Sequence, residues 1–314
     1  MEIIEKILSG NEASAARLIS LIEEGKEEGY RAISLLLPHT GGAHKIGITG
    51  APGSGKSTLI DKMALSYAKK GKKIGIIAID PTSSRTKGAL LGDRLRMKDA
   101  ENIEGIFIRS MAHRGYPGGI ARATVGAIYV LEALGKDVLL IESVGIGQTD
   151  INISIICDTL ITVFTPDYGD EIQLMKAGMI ELGDIIVMNK SDKAGAQEAI
   201  KDINTHINSD KKGTWRPPVI MTQAQKGTGL EELIEATDGH VKYLKENNLL
   251  NETRSEKIKK LMFSFLKEEI WIKAMKKWDQ NNEITRILEM LERKEMDLYG
   301  AVSRASSLIF PDCL

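Results

Sequence analysis

A glycine-rich segment early in the chain carries residue types suited to binding phosphate. Residues 45–58 read KIGITGAPGSGKST, in which an apolar run is followed by glycines, a lysine and a serine. This spacing fits G-x-x-x-x-G-K-[ST], the phosphate-binding loop (P-loop) that connects a buried strand to a helix. The residues expected to contact a bound nucleotide are Gly50, Pro52, Gly53, Ser54, Gly55, Lys56, Ser57 and Thr58.

Three properties of this loop suit a nucleoside triphosphate. Glycines at positions 50, 53 and 55 let backbone N–H groups turn inward, where side chains would block the approach of phosphate oxygens. The N-terminus of the following helix adds its positive end to the same site. We predict that Lys56 reaches the β- and γ-phosphates as a catalytic cation and that the Ser57 hydroxyl binds Mg²⁺.

A second motif, Asn189-Lys190-Ser191-Asp192, follows the apolar run at residues 185–188. P-loop GTPases carry an N-K-x-D tetrapeptide at this place, where it recognises guanine. The Asp192 carboxylate can accept hydrogen bonds from both the ring N–H and the exocyclic amine of guanine, whereas adenine offers no such pair of donors. We expect Lys190 to lie along the base and Asn189 to tie this loop to the P-loop. The two motifs together favour GTP over ATP.

A third segment, residues 222–224, reads TQA after the last apolar run. It fits the GTPase segment whose backbone N–H supports O6 of guanine. We therefore expect Gln223 and Ala224 at the base site. The match is too short to indicate a base site by itself. The two motifs before it are what support this interpretation.

Acidic residues near the ends of predicted strands are the candidates for binding Mg²⁺. Asp80 follows the second apolar run, Asp93 lies in LLGDRLRM, and Glu142 ends the run VLLIE. Mg²⁺ prefers oxygen ligands, and the carboxyl ends of parallel strands lie beside the bound phosphates. Residues 142–145 (ESVG) take the place of a D-x-x-G motif, in which the N–H of Gly145 would contact the γ-phosphate. From its pattern alone, Asp93 is better explained as a solvated surface charge.

No motif identifies the residue that orients the attacking water. Gln148 is the candidate for this catalytic role, but it lies three residues after Gly145, which favours a structural or switch role. Arg85, Arg109 and Arg122 are candidates for stabilising the transferred phosphoryl group, although an ordinary salt bridge better explains any one of them. We therefore expect slow intrinsic hydrolysis that rises when a partner completes the site.

An alternation of strands and helices must position these residues. Short apolar runs separated by helical patterns predict an α/β fold, a P-loop NTPase with a mostly parallel central sheet flanked by helices. Helical periodicity at both ends predicts an N-terminal helical extension (1–43) and a C-terminal helical region (246–314) around the P-loop domain (44–245). The apolar faces of the C-terminal helices need a partner, either the chain's own core or a second copy. The predicted strands are 46–49, 73–79, 106–108, 138–141, 160–164, 185–188 and 219–221.

Composition and charge argue against several other classes of protein. The net charge of −1 gives no argument for binding nucleic acid or an anionic membrane. Two cysteines make neither a disulfide framework nor a metal cluster, which favours a reducing compartment. The first ten residues lack the basic start and apolar core of a signal peptide, and the run at 151–164 is too short to span a membrane and is broken by Asp158. We expect a cytoplasmic protein without nucleic-acid or membrane partners.

Four segments resemble one known family. They are DPTSSRTKGALLGDRLRM (80–97), RSMAHRGYPGGIARAT (109–124), ESVGIGQTD (142–150) and NKSD (189–192). Together they look like the MeaB/ArgK family of GTPases, the chaperones associated with methylmalonyl-CoA mutase. Many bacterial members of that family carry an older label as LAO/AO transport ATPases. The likeness is strong over residues 10–245.

The resemblance implies GTP or GDP with Mg²⁺, a homodimer, and an adenosylcobalamin-dependent acyl-CoA mutase as the client whose cofactor loading is gated. It also implies that Asp80, Asp93 and Glu142 converge on the metal, so Asp93 becomes a residue of the metal site. Residues 83–92, 142–150 and 165–178 would be nucleotide switches, and the third would communicate with the mutase. The sequence departs from the commoner pattern at His113, Arg114 and Tyr116 and at residues 166–168, which bears on the partner more than on the nucleotide chemistry.

Three other functions compete with this interpretation. A metal-delivery GTPase of the nickel-insertion type needs soft ligands, and the five histidines of the chain are scattered. An ATPase partner of an amino-acid transport system conflicts with the N-K-S-D tetrapeptide. A nucleotide-binding regulator that does not hydrolyse GTP stays open from the residues alone.

Overall fold

The computed structural model describes residues 2–80, 99–100, 103–112, 122–143, 153–166, 173–208, 215–279 and 282–310. The chain forms two compact units, one ending at Ile258 and the other beginning at Lys259. No helix within these ranges is long and apolar enough to cross a membrane. The domain boundaries at residues 43 and 245 stay a prediction.

A seven-stranded sheet lies at the centre of the first unit. The strands are β1 (His44–Gly50), β2 (Ile74–Asp80), β3 (Ile106–Ala112), β4 (Val138–Glu142), β5 (Thr159–Phe164), β6 (Ile185–Asn189) and β7 (Val219–Thr222). All neighbouring pairs are parallel, in the order β3-β2-β4-β1-β5-β6-β7. Every residue of β4, β5 and β6 is buried, which explains why these strands appear in the sequence as short apolar runs. The predicted fold class is confirmed.

The described residues also form α-helices. They are α1 (Glu2–Leu8), α2 (Glu12–Glu23), α3 (Glu27–Leu36), α4 (Lys56–Lys69), α5 (Arg122–Ala133), α6 (Gln173–Leu182), α7 (Ala196–Asn208), α8 (Leu230–Glu246), α9 (Leu249–Asp279), α10 (Asn282–Glu292) and α11 (Leu298–Ile309). α4 and α8 pack on one face of the sheet, where Leu59 and Leu233 join a core with Ile48. α5 packs on the other face, where Leu131 lies against Gly75 of β2.

The N-terminal helices are part of the first unit. Ile22 of α2 lies so close to Gly126 of α5 that a Cβ added at the glycine would be 2.9 Å from its Cγ2 atom. Arg109 of β3 forms an ion pair with Glu23 of α2. One of the three arginines considered for phosphate therefore has the ordinary salt bridge that its sequence pattern favours.

A buried ionic cluster lies at the sheet edge opposite the P-loop, where β1 and β5 begin. The Arg254 guanidinium of α9 donates two hydrogen bonds of 2.7 Å to the two carboxylate oxygens of Asp158. It also donates to the carbonyls of Gly41 and Ala43, at 2.6 and 3.0 Å. The Asp158 side chain is 1% exposed and accepts a further bond from the Lys45 N–H. The pKa of Asp158 is lowered to about 2, because the hydrogen bonds from Arg254 and the charges of Lys45 and Arg254 outweigh the burial that raises it.

A hydrogen-bonded chain of side chains lies beside this cluster. The Thr159 hydroxyl lies 2.8 Å from Nε2 of His44 and 2.9 Å from Nδ1 of His240. Nε2 of His240 is 3.6 Å from a carboxylate oxygen of Asp184. Burial lowers the pKa of His44 to about 4 against the opposing charge of Asp158, and burial likewise lowers the pKa of His240.

We predict that these histidines make folding stability sensitive to mild acid. Because the pKa of His44 in the folded chain lies below its ordinary value of 6.5, the unfolded chain binds more protons between about pH 4 and 6.5. The contribution of His44 to the free energy of unfolding is complete above pH 6.5 and falls by roughly 1–3 kcal/mol as the pH falls toward 4, a loss limited by the partial exposure of this side chain. Urea unfolding at a series of pH values measures this loss. His44→Gln should flatten the profile, and an unchanged profile would contradict the assignment.

The second unit contains the remainder of α9 with α10 and α11. Its core comprises Ala274, Ile284, Ile287, Ala301, Ala305 and Ile309. Several large apolar side chains stay exposed around this core, among them Trp271 at 56% and Val302 at 60%. These two residues also line an apolar cavity of about 660 Å³.

Candidate nucleotide-binding site

The P-loop connects the end of β1 to the start of α4, at the carboxyl edge of the sheet. Gly55 immediately precedes α4 with a φ of 92°, and Lys56 is the first residue of that helix. The Lys56 Nζ atom donates to the carbonyls of Gly50 and Ala51 at 2.6 and 3.2 Å, and the residue is 7% exposed. The cation is thus held against the loop by the fold, where it can exchange carbonyl oxygens for phosphate oxygens.

Two of the loop glycines are required by protein packing rather than by space for phosphate. A Cβ at Gly50 would come closer than 3.0 Å to the carbonyl oxygen of Val163 on β5. A Cβ at Gly55 would come equally close to the Nδ2 atom of Asn189. Gly53, with a φ of 77°, has no atom of the described residues within 4 Å of its Cβ position. The expectation that all three leave room for phosphate therefore fits the open surroundings of Gly53, whereas protein atoms fill the space beside Gly50 and Gly55.

Asn189, the last residue of β6, joins three parts of the site. Its Nδ2 atom donates to the carbonyl of Ser54 in the P-loop at 2.7 Å. Its Oδ1 atom accepts from the Thr222 hydroxyl at 3.1 Å and from the Ala224 N–H at 3.0 Å. Asn189 is 2% exposed, so these bonds are shielded from water. The side chain therefore fixes the P-loop, the N-K-S-D loop and the loop after β7 relative to one another.

A cavity of about 270 Å³ opens where these three loops meet. Its described lining residues are Gly55, Thr58, Asn189, Lys190, Asp192, Lys193, Gln223, Ala224, Gln225 and Lys226. Lys190 has a φ of 55°, a left-handed conformation that is uncommon for a residue with a side chain. Asp192 lies at the cavity with its carboxylate 3.7 Å from the ammonium of Lys226.

The predicted metal ligands Ser57 and Glu142 lie together beside the P-loop. The Ser57 hydroxyl donates to Oε1 of Glu142 at 2.7 Å, and Glu142 is 8% exposed. Ala78 of β2 is opposite Glu142 of β4, so Asp80 lies two residues further along the neighbouring strand at the same edge. A hydroxyl and a carboxylate are hard oxygen donors, which fits Mg²⁺. In the described ranges no three His, Cys, Asp or Glu side chains come together around one point.

A protein-family model described as methylmalonyl Co-A mutase-associated GTPase MeaB matches residues 15–279. The chain belongs to the MeaB family. The resemblance found in the four sequence segments is therefore confirmed, and so is the P-loop NTPase class that it implies.

Individual MeaB-family relatives match most of the chain. A putative GTPase of Pyrococcus abyssi is 42% identical over 310 residues, which cover 96% of this chain and 94% of the relative. The mitochondrial methylmalonic aciduria type A homolog of Caenorhabditis elegans is 28% identical over 313 residues, covering 93% and 77%. The crystal structure of an LAO/AO transport system kinase is similar with a TM-score of 0.75 at 21% identity, covering 98% and 96%. At that identity the structural likeness concerns the fold.

Some site residues expected in this MeaB-family chain lie outside the described residues. They are Asp93, Gly145 and Gln148, together with all of the first predicted switch and most of the second. The Ala224 N–H belongs to the segment expected to support O6 of guanine, and it donates to Asn189 in this structure. An oxo group of a base therefore has to share that N–H with Asn189 or use another donor of the same loop.

The structure adds residues that the motifs did not indicate. Lys193, Gln225 and Lys226 line the cavity, and Lys226 faces Asp192. No residue pattern marks them, because each belongs to a polar loop whose path depends on bonds to distant parts of the chain. The Thr222 hydroxyl is likewise a partner of Asn189, although the TQA match indicated only a base-binding loop.

Proposed function

We propose that this MeaB-family chain is a Mg²⁺-dependent GTPase that hydrolyses GTP to GDP and phosphate. The observation that carries the proposal is the position of Asn189, which joins the P-loop to the loop bearing Asp192 around one cavity. The Asp192 carboxylate matches the paired N–H donors of guanine, and adenine would leave it unpaired. A site based on hydrogen bonds of this kind discriminates strongly, because the wrong base leaves its polar groups unsatisfied.

Catalysis of hydrolysis would depend on positioning the water and the phosphates and on neutralising the charge of the phosphates. Water attacks the γ-phosphorus in line with the leaving β–γ bridging oxygen, that P–O bond breaks, and the proton of the water ends on phosphate. Lys56 would transfer from the carbonyls of Gly50 and Ala51 to the phosphate oxygens, where its charge opposes the charge of the leaving group. Backbone N–H groups of the P-loop and the N-terminus of α4 would bind the same oxygens.

The residues proposed to hold Mg²⁺ are Ser57, Glu142 and Asp80. Bound there, the cation would neutralise charge on the β- and γ-phosphate oxygens. The 2.7 Å hydrogen bond between Ser57 and Glu142 holds these two oxygen ligands beside each other. Asp93 and Gln148 keep their predicted roles as metal ligand and switch residue.

The proposed output is a conformational signal to an adenosylcobalamin-dependent acyl-CoA mutase, whose cofactor loading the GTPase would gate. Two names support this client: that of the family, a methylmalonyl Co-A mutase-associated GTPase, and that of the Caenorhabditis elegans relative, a methylmalonic aciduria type A homolog.

A homodimer is also proposed. It is supported by the exposed apolar side chains of the second unit, which include Trp271 and Val302, because exposed apolar surface of this kind usually marks an interface.

The guanine proposal is tested by exchanging the group that reads the base. Asp192→Asn should weaken GTP and GDP binding by at least about 100-fold, because two charge-assisted hydrogen bonds are lost. The same variant should gain affinity for xanthosine nucleotides, in which a carbonyl replaces the exocyclic amine. Titration calorimetry with GTP, GDP, ATP and xanthosine triphosphate gives the affinities. If ATP binds as well as GTP and Asp192→Asn changes neither, the GTPase proposal is wrong.

The partner proposals predict masses that sedimentation can measure. The wild-type chain should sediment as a dimer, and Trp271→Glu combined with Val302→Glu should yield a monomer that still binds GDP. A monomeric wild type contradicts the dimer.

Added mutase should form a complex whose stability differs between GDP and a non-hydrolysable GTP analogue, and it should accelerate GTP turnover. A mutase without effect on turnover or complex formation contradicts the proposed client.

A further inference from the structure

The loop after β7 is held in one shape by its own backbone. The Gln223 N–H donates to the carbonyl of Thr228 at 3.1 Å, and the Lys226 N–H donates to the carbonyl of Gln223 at 2.9 Å. Gly229, with a φ of 74°, closes the loop so tightly that a Cβ there would overlap the carbonyl of Met221. The backbone position of Lys226 relative to β7 is therefore fixed, and its remaining freedom is in the side chain.

Hydrogen bonds fix this loop against the loop that bears Asp192. The Ser191 N–H donates to the Thr222 carbonyl at 3.1 Å. The Ala224 N–H donates to Asn189 at 3.0 Å. Lys226 and Asp192 therefore project from two loops of fixed separation, and both line the same cavity.

The Lys226 ammonium lies 3.7 Å from Oδ2 of Asp192, with the two side chains 67% and 51% exposed. An ionised carboxylate has about four acceptor directions, and guanine uses two of them for its ring N–H and its amine. At this distance the two groups attract each other by charge without a hydrogen bond, so the acceptor directions of the carboxylate stay open to the base. The ion pair is thus compatible with bound guanine, and its attraction favours the rotamers of Asp192 that face Lys226.

We propose that Lys226 is a positioning residue for guanine recognition, which orients the Asp192 carboxylate toward the base. The inference rests on the proposed specificity for GTP and extends it to a residue that no motif marks. An exposed ion pair contributes little to folding. At the base site, however, a carboxylate that is already oriented loses less conformational freedom when guanine binds, so the ion pair increases affinity.

The test compares Lys226 with a matched lysine remote from the cavity. Lys242 forms an ion pair with Glu246 at the same distance of 3.7 Å, with side chains 73% and 63% exposed. Lys226→Ala should weaken GDP binding about three- to fivefold, whereas Lys242→Ala should leave it unchanged. Lys226→Arg should restore affinity to within about twofold of wild type, because the positive charge is kept. The readout is GDP affinity by displacement calorimetry.

A double-mutant cycle separates positioning from direct contact with the nucleotide. In an Asp192→Asn background, Lys226→Ala should change GDP affinity less than about twofold, since its partner is gone. Equal losses in both backgrounds would show that Lys226 binds nucleotide directly, and a Lys226→Ala effect equal to that of Lys242→Ala would show no role. Either result overturns the inference. Failure of the GTPase proposal would look different, because the wild type would then bind ADP as tightly as GDP.

Discussion

Replacing Gly55 with alanine is expected to reduce GDP affinity by at least about 100-fold, because it displaces Asn189. The added Cβ would come closer than 3.0 Å to Nδ2 of Asn189, a distance that real Cβ atoms essentially never show. Moving Asn189 breaks its 2.7 Å bond to the buried carbonyl of Ser54 and its 3.0 Å bond from the Ala224 N–H. The P-loop and the base-binding loops then lose their common support.

The same substitution is expected to destabilise the nucleotide-free chain by about 2–4 kcal/mol. Part of this loss is the strain of a side chain at a φ of 92°, and part is the unsatisfied buried groups around Asn189. Gly71→Ala is the matched control, because Gly71 has a φ of 75° and, in the part of the chain that the structure describes, no atom lies within 4 Å of its Cβ position. It should cost only the backbone strain, about 1 kcal/mol, and leave GDP affinity unchanged.

Urea unfolding and GDP titration of both variants test this prediction. If Gly55→Ala and Gly71→Ala destabilise the chain equally and Gly55→Ala keeps its affinity for GDP, the close approach of Gly55 and Asn189 contributes neither to stability nor to nucleotide binding. The requirement for glycine at position 55 would then come from its backbone conformation alone.

The sheet and the P-loop were predictable because local patterns determine them. Buried parallel strands such as β4 and β5 appear as short apolar runs, and the P-loop spacing identifies the turn between β1 and α4. The reason for two of its glycines was not predictable. Gly50 and Gly55 contact Val163 and Asn189, which are more than a hundred residues away in sequence. Contacts at that separation leave no signal in the spacing of a loop.

The pairing of the buried charge was the feature least predictable from the sequence. Asp158 interrupts an apolar run, and the pattern shows only that the run cannot span a membrane. In the structure its carboxylate lies 1% exposed against Arg254, which is 96 residues later in the chain. The exposed Lys226–Asp192 pair is likewise absent from the pattern, since it depends on the position of a neighbouring loop. Pairings of this kind follow from topology rather than from local composition.

Arg254→Ala is expected to lower the free energy of unfolding by about 3–5 kcal/mol, because it leaves the buried Asp158 carboxylate without its main cation. The substitution also removes the donors to the carbonyls of Gly41 and Ala43, in the segment that leads into β1. Arg254→Lys should recover part of the loss, since lysine restores the charge but not the two-pronged geometry. The matched control is Arg31→Ala, which breaks an exposed pair with Glu27 of 2.6 Å. That change should cost less than about 1 kcal/mol.

The pH dependence of the Arg254→Ala loss identifies its cause. Asp158 keeps its charge in the wild type down to a pKa of about 2, below the ordinary value of 3.8, so its stabilising effect is complete above pH 3.8 and lost as the pH falls toward 2. Without Arg254 the burial of the carboxylate raises its pKa, and protonation relieves the unpaired charge. The difference between variant and wild type should therefore be largest near neutral pH and shrink in acid. A difference that stays constant between pH 7 and pH 4 would instead assign the loss to the missing bonds at Gly41 and Ala43.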